Sequence, residues 1–452
     1  MSSVVAPASG RRSAGEALRA GVELANLLEA VRTRTSMLVA PLSDADLRMQ
    51  HDPLMSPIVW DLGHIAGFEE LWLIRHVERP FEGLASIGEL PGLFNPFEHP
   101  RRTRGTLDLP GRDVALATLA DIRRRVLARL AATDVGPDAP PLLRDGYVYR
   151  MVAQHEAQHG ETILQTVQLK RGDAYVPLHR VAPSAPAWMP ARAMVRFPGG
   201  AVDFGTDDRR AAYDNERPRH RIEVAPFEID AVPVTNEAYL EFIGDGGYQR
   251  PEWWSRAGRA WLDDSRATAP QYWFECGGEW WTRSLDRSGP VERRHPVSHV
   301  SYYEAEAFAR WAGKRLPTEI EWEVAATWDP AAGRALAFPW GDDAASPELA
   351  NLGPRAFGTT AVGTYPRNIS PLGCYGMIGD VWEWTSSDFR GYPGFASFPY
   401  REYSEVFFAP EYKVLRGGSW ATHESVARST FRNWDYPIRR QVFSGFRCAR
   451  DA

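Results

Sequence analysis

Cysteine is nearly absent: Cys276, Cys374 and Cys448 are the three in 452 residues, too few and too widely spaced for a disulfide framework or a cysteine-rich zinc site. A polybasic footprint is missing as well. Fifty-two Lys and Arg against 58 Asp and Glu leave a net charge of −6, which argues against nucleic acid and anionic lipid as partners. Long apolar runs are also lacking. No run reaches the ~18 residues of a membrane span, and the opening MSSVVAPASGRRSAGE has no apolar core of the about 7 to 15 residues a signal peptide needs. The expectation is a soluble, cytoplasmic chain with no membrane or nucleic-acid partner. At roughly 150 residues per domain, the length suits two or three domains.

Tryptophan is abundant but uneven. Only Trp60 and Trp72 precede residue 186, and the other fifteen follow it, so the halves are built differently. From about residue 13 to 172 apolar residues recur at three and four, as in Leu18, Val22, Leu27, Leu28 and Val31, which predicts helices. Further helical segments run from Pro57 to Val77, Arg112 to Ala132 and Tyr147 to Arg171, and a four-helix bundle is the economical assembly. The stretch PGLFNPFEHPRRTRGTLDLPGRD between the second and third is too long for an idle bundle loop and is a candidate functional one. Pro177, Pro183, Pro186 and Pro190 mark a semi-rigid linker. The expected division is a bundle over residues 1–180, a linker over 181–192 and an α+β domain over 193–452. In that domain MVRFPGGAVDFGT, RIEVAPFEIDAVPVTN, YKVLRGGSW and FSGFRCAR read as strands and turns, with helices from Asn236 to Asp245 and Tyr303 to Ala312.

The chemistry concentrates in His155-Glu-Ala-Gln-His159 on the fourth helix. Four residues at ~100° each place the two imidazoles one turn apart on one face, the spacing of paired metal ligands. HEAQH also matches the H-E-x-x-H of zinc peptidases, but the extended form needs Gly and His where Thr162 and Gln165 stand, and the chain then runs into the linker instead of a second ligand helix. His64, in VWDLGHIAGFEELWL, shares a face with Trp60 and Phe68 at four-residue spacing. An imidazole there needs a partner, either a backbone carbonyl or a metal. His64, His155 and His159 together make a facial three-nitrogen set that suits zinc, iron, nickel or copper.

SPIVWDLGHIAGFEELWL, HEAQHGETILQ, DNERPRH, PVTN, RLPTEIEWE, GDVWEWTSS, VLRGGSW and FRNWDYPIRRQVFSGFR, in this order from about residue 45 onward, resemble the bacterial sulfoxide synthases of ergothioneine biosynthesis. The resemblance implies a DinB-like four-helix bundle followed by a formylglycine-generating-enzyme, C-type-lectin-like α+β domain, with the active site between them. It further implies that His64, His155 and His159 hold Fe(II), that O2 is a co-substrate, and that a thiol such as γ-glutamylcysteine is joined at imidazole C2 of hercynine, Nα-trimethylhistidine. Similar selenoneine synthases take selenium from a selenosugar.

Carried over residue by residue, the resemblance assigns Gln158, Tyr403, Asn433 and Trp434 to hercynine, Tyr400 to proton or hydrogen-atom donation, and Arg101, Arg104, Asp435 and Arg439 to the donor. Aromatic faces hold a quaternary ammonium, and paired arginines clamp carboxylates, so these types fit their tasks. Phe94 and Asn95 stand where that family often has Tyr and Asp, and Gly160 where Asp is common, which keeps both chalcogen donors open. Formylglycine-generating enzymes use a cysteine pair close in sequence, whereas these cysteines lie 98 and 74 residues apart. A binding-only lectin-like module leaves the histidines unexplained, and a DinB-type metal-dependent thiol transferase would work without O2.

Overall fold

The structure, a computed structural model, describes residues 14–78, 90, 92–182 and 193–452, with the side chains of residues 14–18 excepted. Leu18 of the first apolar stripe and most of the Pro-rich linker lie outside the described residues.

The N-terminal half is helical: α1 (Ala14–Val39), α2 (Asp44–Arg48), α3 (Ile58–Glu70), α4 (His76–Glu78), α5 (Arg112–Leu130) and α6 (Tyr147–Leu169). Helix α1 packs on α6, and α3 lies between α5 and α6. Every residue of α3 from Ile58 to Glu69 is buried, so this helix forms the bundle's centre and not a surface stripe. The segment expected as one helix to Val77 instead loosens into a π-helical turn over Leu71–Arg75 before α4. Such turns often mark functional sites.

One charged residue from each of the four long helices meets its neighbours inside the bundle. Arg32 of α1 pairs with Glu69 of α3 at 2.6 Å and with Glu156 of α6 at 2.8 Å. Arg123 of α5 reaches the same two carboxylates at 2.6 and 2.9 Å. The charges cancel in a closed ring, the condition under which buried ions are tolerated.

The second half is α+β. A three-stranded antiparallel sheet sets Phe227–Asp230 between Met194–Phe197 and Ala449–Asp451, bringing the two ends of the domain together. A four-stranded sheet is ordered Asn433–Asp435, Ala409–Arg416, Trp382–Phe389, Ser444–Gly445, and smaller hairpins cover residues 200–224 and 273–290. The expected helices occur as α7 (Asn236–Gly244), capped by Thr235, and α9 (Tyr302–Trp311), capped by Ser301. Two more appear, α8 (Arg256–Ser265) and α10 (Glu319–Thr327). Among the described residues no helix is long and apolar enough to cross a membrane.

The halves share one hydrophobic core, which runs without a break from Leu28 and Trp72 of the bundle to Tyr400 and Phe446. Glu161 of α6 crosses the seam. Its buried carboxylate accepts hydrogen bonds from Trp382 Nε1 at 2.7 Å and from Ser419 Oγ and Thr422 Oγ1 at 2.8 Å. Burial still pushes its pKa above the usual carboxylate range.

Candidate metal centre and substrate pocket

The helical spacing of α6 puts the His155 and His159 rings 4.6 Å apart between centroids. Helix α3, packed alongside, brings the His64 ring to 5.1 and 5.0 Å from them. One nitrogen from each ring falls within 4.8 Å of the other two, and His64 Nε2 and His155 Nε2 stand 3.2 Å apart. Two nitrogens bound at right angles, each about 2.1 Å from an ion, would stand about 3 Å apart, so the His64–His155 pair is spaced to share an ion, with His159 beside it.

Two of the remaining ring nitrogens face groups outside the set. His64 Nδ1 bonds the Phe94 carbonyl oxygen at 2.9 Å, and His159 Nδ1 lies 3.3 Å from Asp61 Oδ1. The Phe94 carbonyl fixes the His64 tautomer that turns Nε2 toward an ion, whereas His159 Nδ1, although near Asp61, makes no hydrogen bond. The Phe68 ring stacks on His155 at 3.7 Å. Burial, reinforced by the neighbouring imidazoles, pulls His64 down to about 3 and His155 well below its ordinary value, so both remain in the neutral, ligating form. Glu156 of HEAQH points away into the arginine ring. It is unavailable as a peptidase base.

Beside α6 opens a cavity of about 160 Å³ whose walls come from both halves. Gln158, Glu161, Thr162 and Gln165 line it from the bundle, Arg101 from the long loop, and His423, Asn433, Trp434 and Asp435 from the second domain. The strand carrying Asn433 to Asp435 is set by Arg432, whose guanidinium donates to both Glu319 oxygens at 2.9 and 2.8 Å. Trp434 stacks on Phe389 at 4.1 Å and meets Tyr403 edge-on.

Gln158 donates to the Tyr213 hydroxyl at 2.8 Å and accepts from the Tyr403 hydroxyl at 3.3 Å, while the two tyrosine rings stack at 4.0 Å. Tyr400 is buried against Trp72 and Phe68 at 5.3 and 6.0 Å, one ring removed from His155. Burial pushes its phenol well above the ordinary range, which keeps the proton on oxygen. Both tyrosines ride on a segment pinned by the DNE turn. Asp214 accepts from Ser404 Oγ at 2.5 Å and Phe398 N at 3.1 Å, and burial lifts its own pKa to about 6.

Of the arginines, Arg101 borders the cavity, and its charge acts on Asp435. Arg439 Nε lies 3.4 Å from Asp435 Oδ1, and its Nη1 is buried without a hydrogen-bond partner. Arg104 sits elsewhere, buried over the Trp60 ring with its Cζ 3.5 Å from the centroid. Phe94 and Asn95 lie in the turn beneath His64, and Asn95 donates to Glu98 at 3.0 Å. Gly160 faces Leu38 of α1.

Tyr213, Glu161 and His423 escaped the sequence analysis, and Thr162 and Gln165 entered it only as departures from the peptidase motif, not as lining residues. Positions 155, 158, 159, 162 and 165 form one polar stripe at i, i+3, i+4, i+7 and i+10 on a largely buried helix, so extending the HEAQH spacing forward would have found two of them. Tyr213, adjoining the DNE turn, and His423 carry no such signal.

Residues 27–163 match the DinB superfamily, and residues 179–452 match the sulfatase-modifying factor enzyme 1-like domain. The chain is 46% identical to the hercynine oxygenase of Mycolicibacterium thermoresistibile over 97% of its length and 96% of that protein. It is 45% identical to those of Mycolicibacterium smegmatis and Mycobacterium tuberculosis, each time over 95% of this chain and 98% and 99% of theirs. With two domains in the same order and near end-to-end coverage, this chain belongs to the hercynine oxygenase family.

Proposed function

We propose that the chain binds Fe(II) through His64, His155 and His159 and uses O2 to join a thiol sulfur to imidazole C2 of hercynine, giving the sulfoxide. The observation that carries this reading is three imidazoles, one buried and two half-buried, converging within 4.8 Å next to a cavity built by both domains. In the overall reaction the imidazole C–H and the thiol S–H are replaced by a C–S bond. One oxygen atom goes to sulfur and the other leaves as water.

The metal, when bound, supplies O2 activation and a template for the reactants; the protein supplies position and protons. Trp434 and Tyr403 offer aromatic faces to the trimethylammonium group, and Gln158 and Asn433 offer directional contacts to the polar parts of hercynine. Tyr400, kept protonated by burial, is the proton or hydrogen-atom donor. Arg101 and Arg439, with Asp435 between them, suit the carboxylates and ammonium of γ-glutamylcysteine. A neutral selenosugar has less use for these charges, and the departures Phe94, Asn95 and Gly160 lie outside the cavity wall, so the sulfur donor is favoured.

The test is aerobic incubation of Fe(II)-loaded protein with hercynine and competing γ-glutamylcysteine, cysteine and selenoglucose, with products identified by mass. A sulfoxide adduct of γ-glutamylcysteine supports the reading. A seleno-adduct moves the chain to selenoneine synthesis, and O2-independent thiol transfer supports the transferase alternative.

A further inference from the structure

Tyr213 stands behind the cavity wall at Gln158. It is 3% exposed, and its place is fixed on several sides. Its backbone N–H donates to Glu216 Oε1 at 2.7 Å, and Glu216 Oε2 accepts from Arg428 Nε and Thr430 Oγ1, each at 2.7 Å. Arg428 Nη1 reaches α6 at Gln154 Oε1, 2.7 Å away and one turn before Gln158. The Tyr213 ring stacks on Tyr403 at 4.0 Å and meets Phe431 edge-on at 6.0 Å. The hydroxyl so placed accepts from Gln158 Nε2 at 2.8 Å. The other hydrogen on that nitrogen goes to the Gln154 carbonyl oxygen at 3.2 Å, and Gln158 Oε1 accepts from the Tyr403 hydroxyl at 3.3 Å. A primary amide has two hydrogens and two carbonyl lone pairs. Both hydrogens are engaged, and one lone pair on Oε1 remains open.

We propose that Tyr213 is a positioning residue that holds the Gln158 amide, so that this position offers the cavity a carbonyl oxygen and no N–H. The inference rests on the hercynine reading given above and specifies what Gln158 contributes to it. That contribution is an electron-rich atom for the trimethylammonium or the imidazole N–H of hercynine, and no donor for its carboxylate. The Gln154 carbonyl can only accept, so it selects the nitrogen end of the amide. The Tyr213 hydroxyl takes the second hydrogen and tethers the group at the shorter distance. With phenylalanine at 213 the stack on Tyr403 persists but the tether is gone, and the cost of ordering the amide then falls on hercynine as it binds.

The experiment is anaerobic calorimetric titration of hercynine into the iron-loaded full-length protein, with no thiol present. Tyr213→Phe is expected to raise the hercynine dissociation constant about 3- to 10-fold, the range of one hydrogen bond. In turnover the hercynine KM should rise by the same factor while kcat stays within about twofold. Introduced into Gln158→Ala, the same change should alter the dissociation constant less than about twofold, since no amide remains to hold. An equal loss in both backgrounds, or wild-type affinity in Tyr213→Phe beside a weakened Gln158→Ala, would overturn this inference alone. Wild-type affinity in Gln158→Ala would overturn the hercynine reading of that residue and this inference with it. Circular dichroism checks the fold; should Tyr213→Phe fail to fold, Gln158→Glu carries the test. A carboxylate at 158 offers only oxygen, so hercynine is expected to bind it no more weakly than wild type. Weaker binding would mean that the amide offers its N–H, which refutes the assignment.

Discussion

Replacing Glu156 by Gln tests whether the glutamate of HEAQH is structural or catalytic. Its carboxylate accepts from Arg32 Nε at 2.8 Å, Arg32 Nη2 at 3.2 Å and Arg123 Nη2 at 2.9 Å. The two arginines are 9% and 4% exposed, so neither can turn to water when the charge is lost. Glutamine keeps the volume but leaves two guanidiniums sharing Glu69 alone, a net positive charge inside the bundle. Removing one partner from a buried ion pair costs about 3–5 kcal/mol, and that loss of stability is expected in urea unfolding. Because Glu69 serves the same arginines, the double variant Glu69→Gln/Glu156→Gln leaves both guanidiniums without a counter-charge and should lose more than the sum of the single ones. Metal binding by the folded fraction should persist, since His155 and His159 do not contact this ring. A Glu156→Gln protein within about 0.5 kcal/mol of wild type, the range of an ordinary surface change, would refute the reasoning.

Three further outcomes are expected. His159→Ala should lower metal affinity more than about 100-fold, beyond the outer-shell range, with unchanged circular dichroism; metal analysis of the purified variant checks it, and wild-type occupancy would remove His159 from the ligand set. Tyr400→Phe keeps the ring against Trp72 and Phe68 and should retain iron and hercynine while losing sulfoxide, so an unaltered product profile by mass spectrometry refutes its role. Asp214 is lifted from 3.8 to about 6 in the folded state, so its protonated form is favoured by folding. The stability it adds is complete below about pH 4 and is lost as pH rises through about 6, about 3 kcal/mol in all. The wild-type minus Asp214→Asn difference in unfolding free energy should therefore fall across this window; a flat or rising difference contradicts the assignment.

The bundle was legible because its helices carry apolar residues at three and four, and His155 and His159 declared themselves by spacing. The π turn at Leu71–Arg75 did not, since its composition, LWLIR, continues the apolar run. Helix α10 was missed for a related reason. It is short and buried on nearly all sides, so it shows no amphipathic period, although Thr318 and Glu321 form a capping box that the sequence displays. The cavity was harder still. Glu161 meets Trp382, Ser419 and Thr422 across more than 220 positions of sequence, and no local pattern encodes such a meeting. Arg104 and Arg101 look alike in HPRRTR, and only packing separates the one on Trp60 from the one at the cavity.

The contact at Glu161 bears on how the two halves can be inherited. Detached from its neighbour, the bundle would present a carboxylate stripped of three donors, and the partner half would be left with an indole N–H and two hydroxyls aimed at nothing. Each piece would also expose its share of the apolar core that the halves have in common. Recombination that exchanges one half must carry compatible residues at positions 161, 382, 419 and 422 together, so these four positions are expected to change in concert.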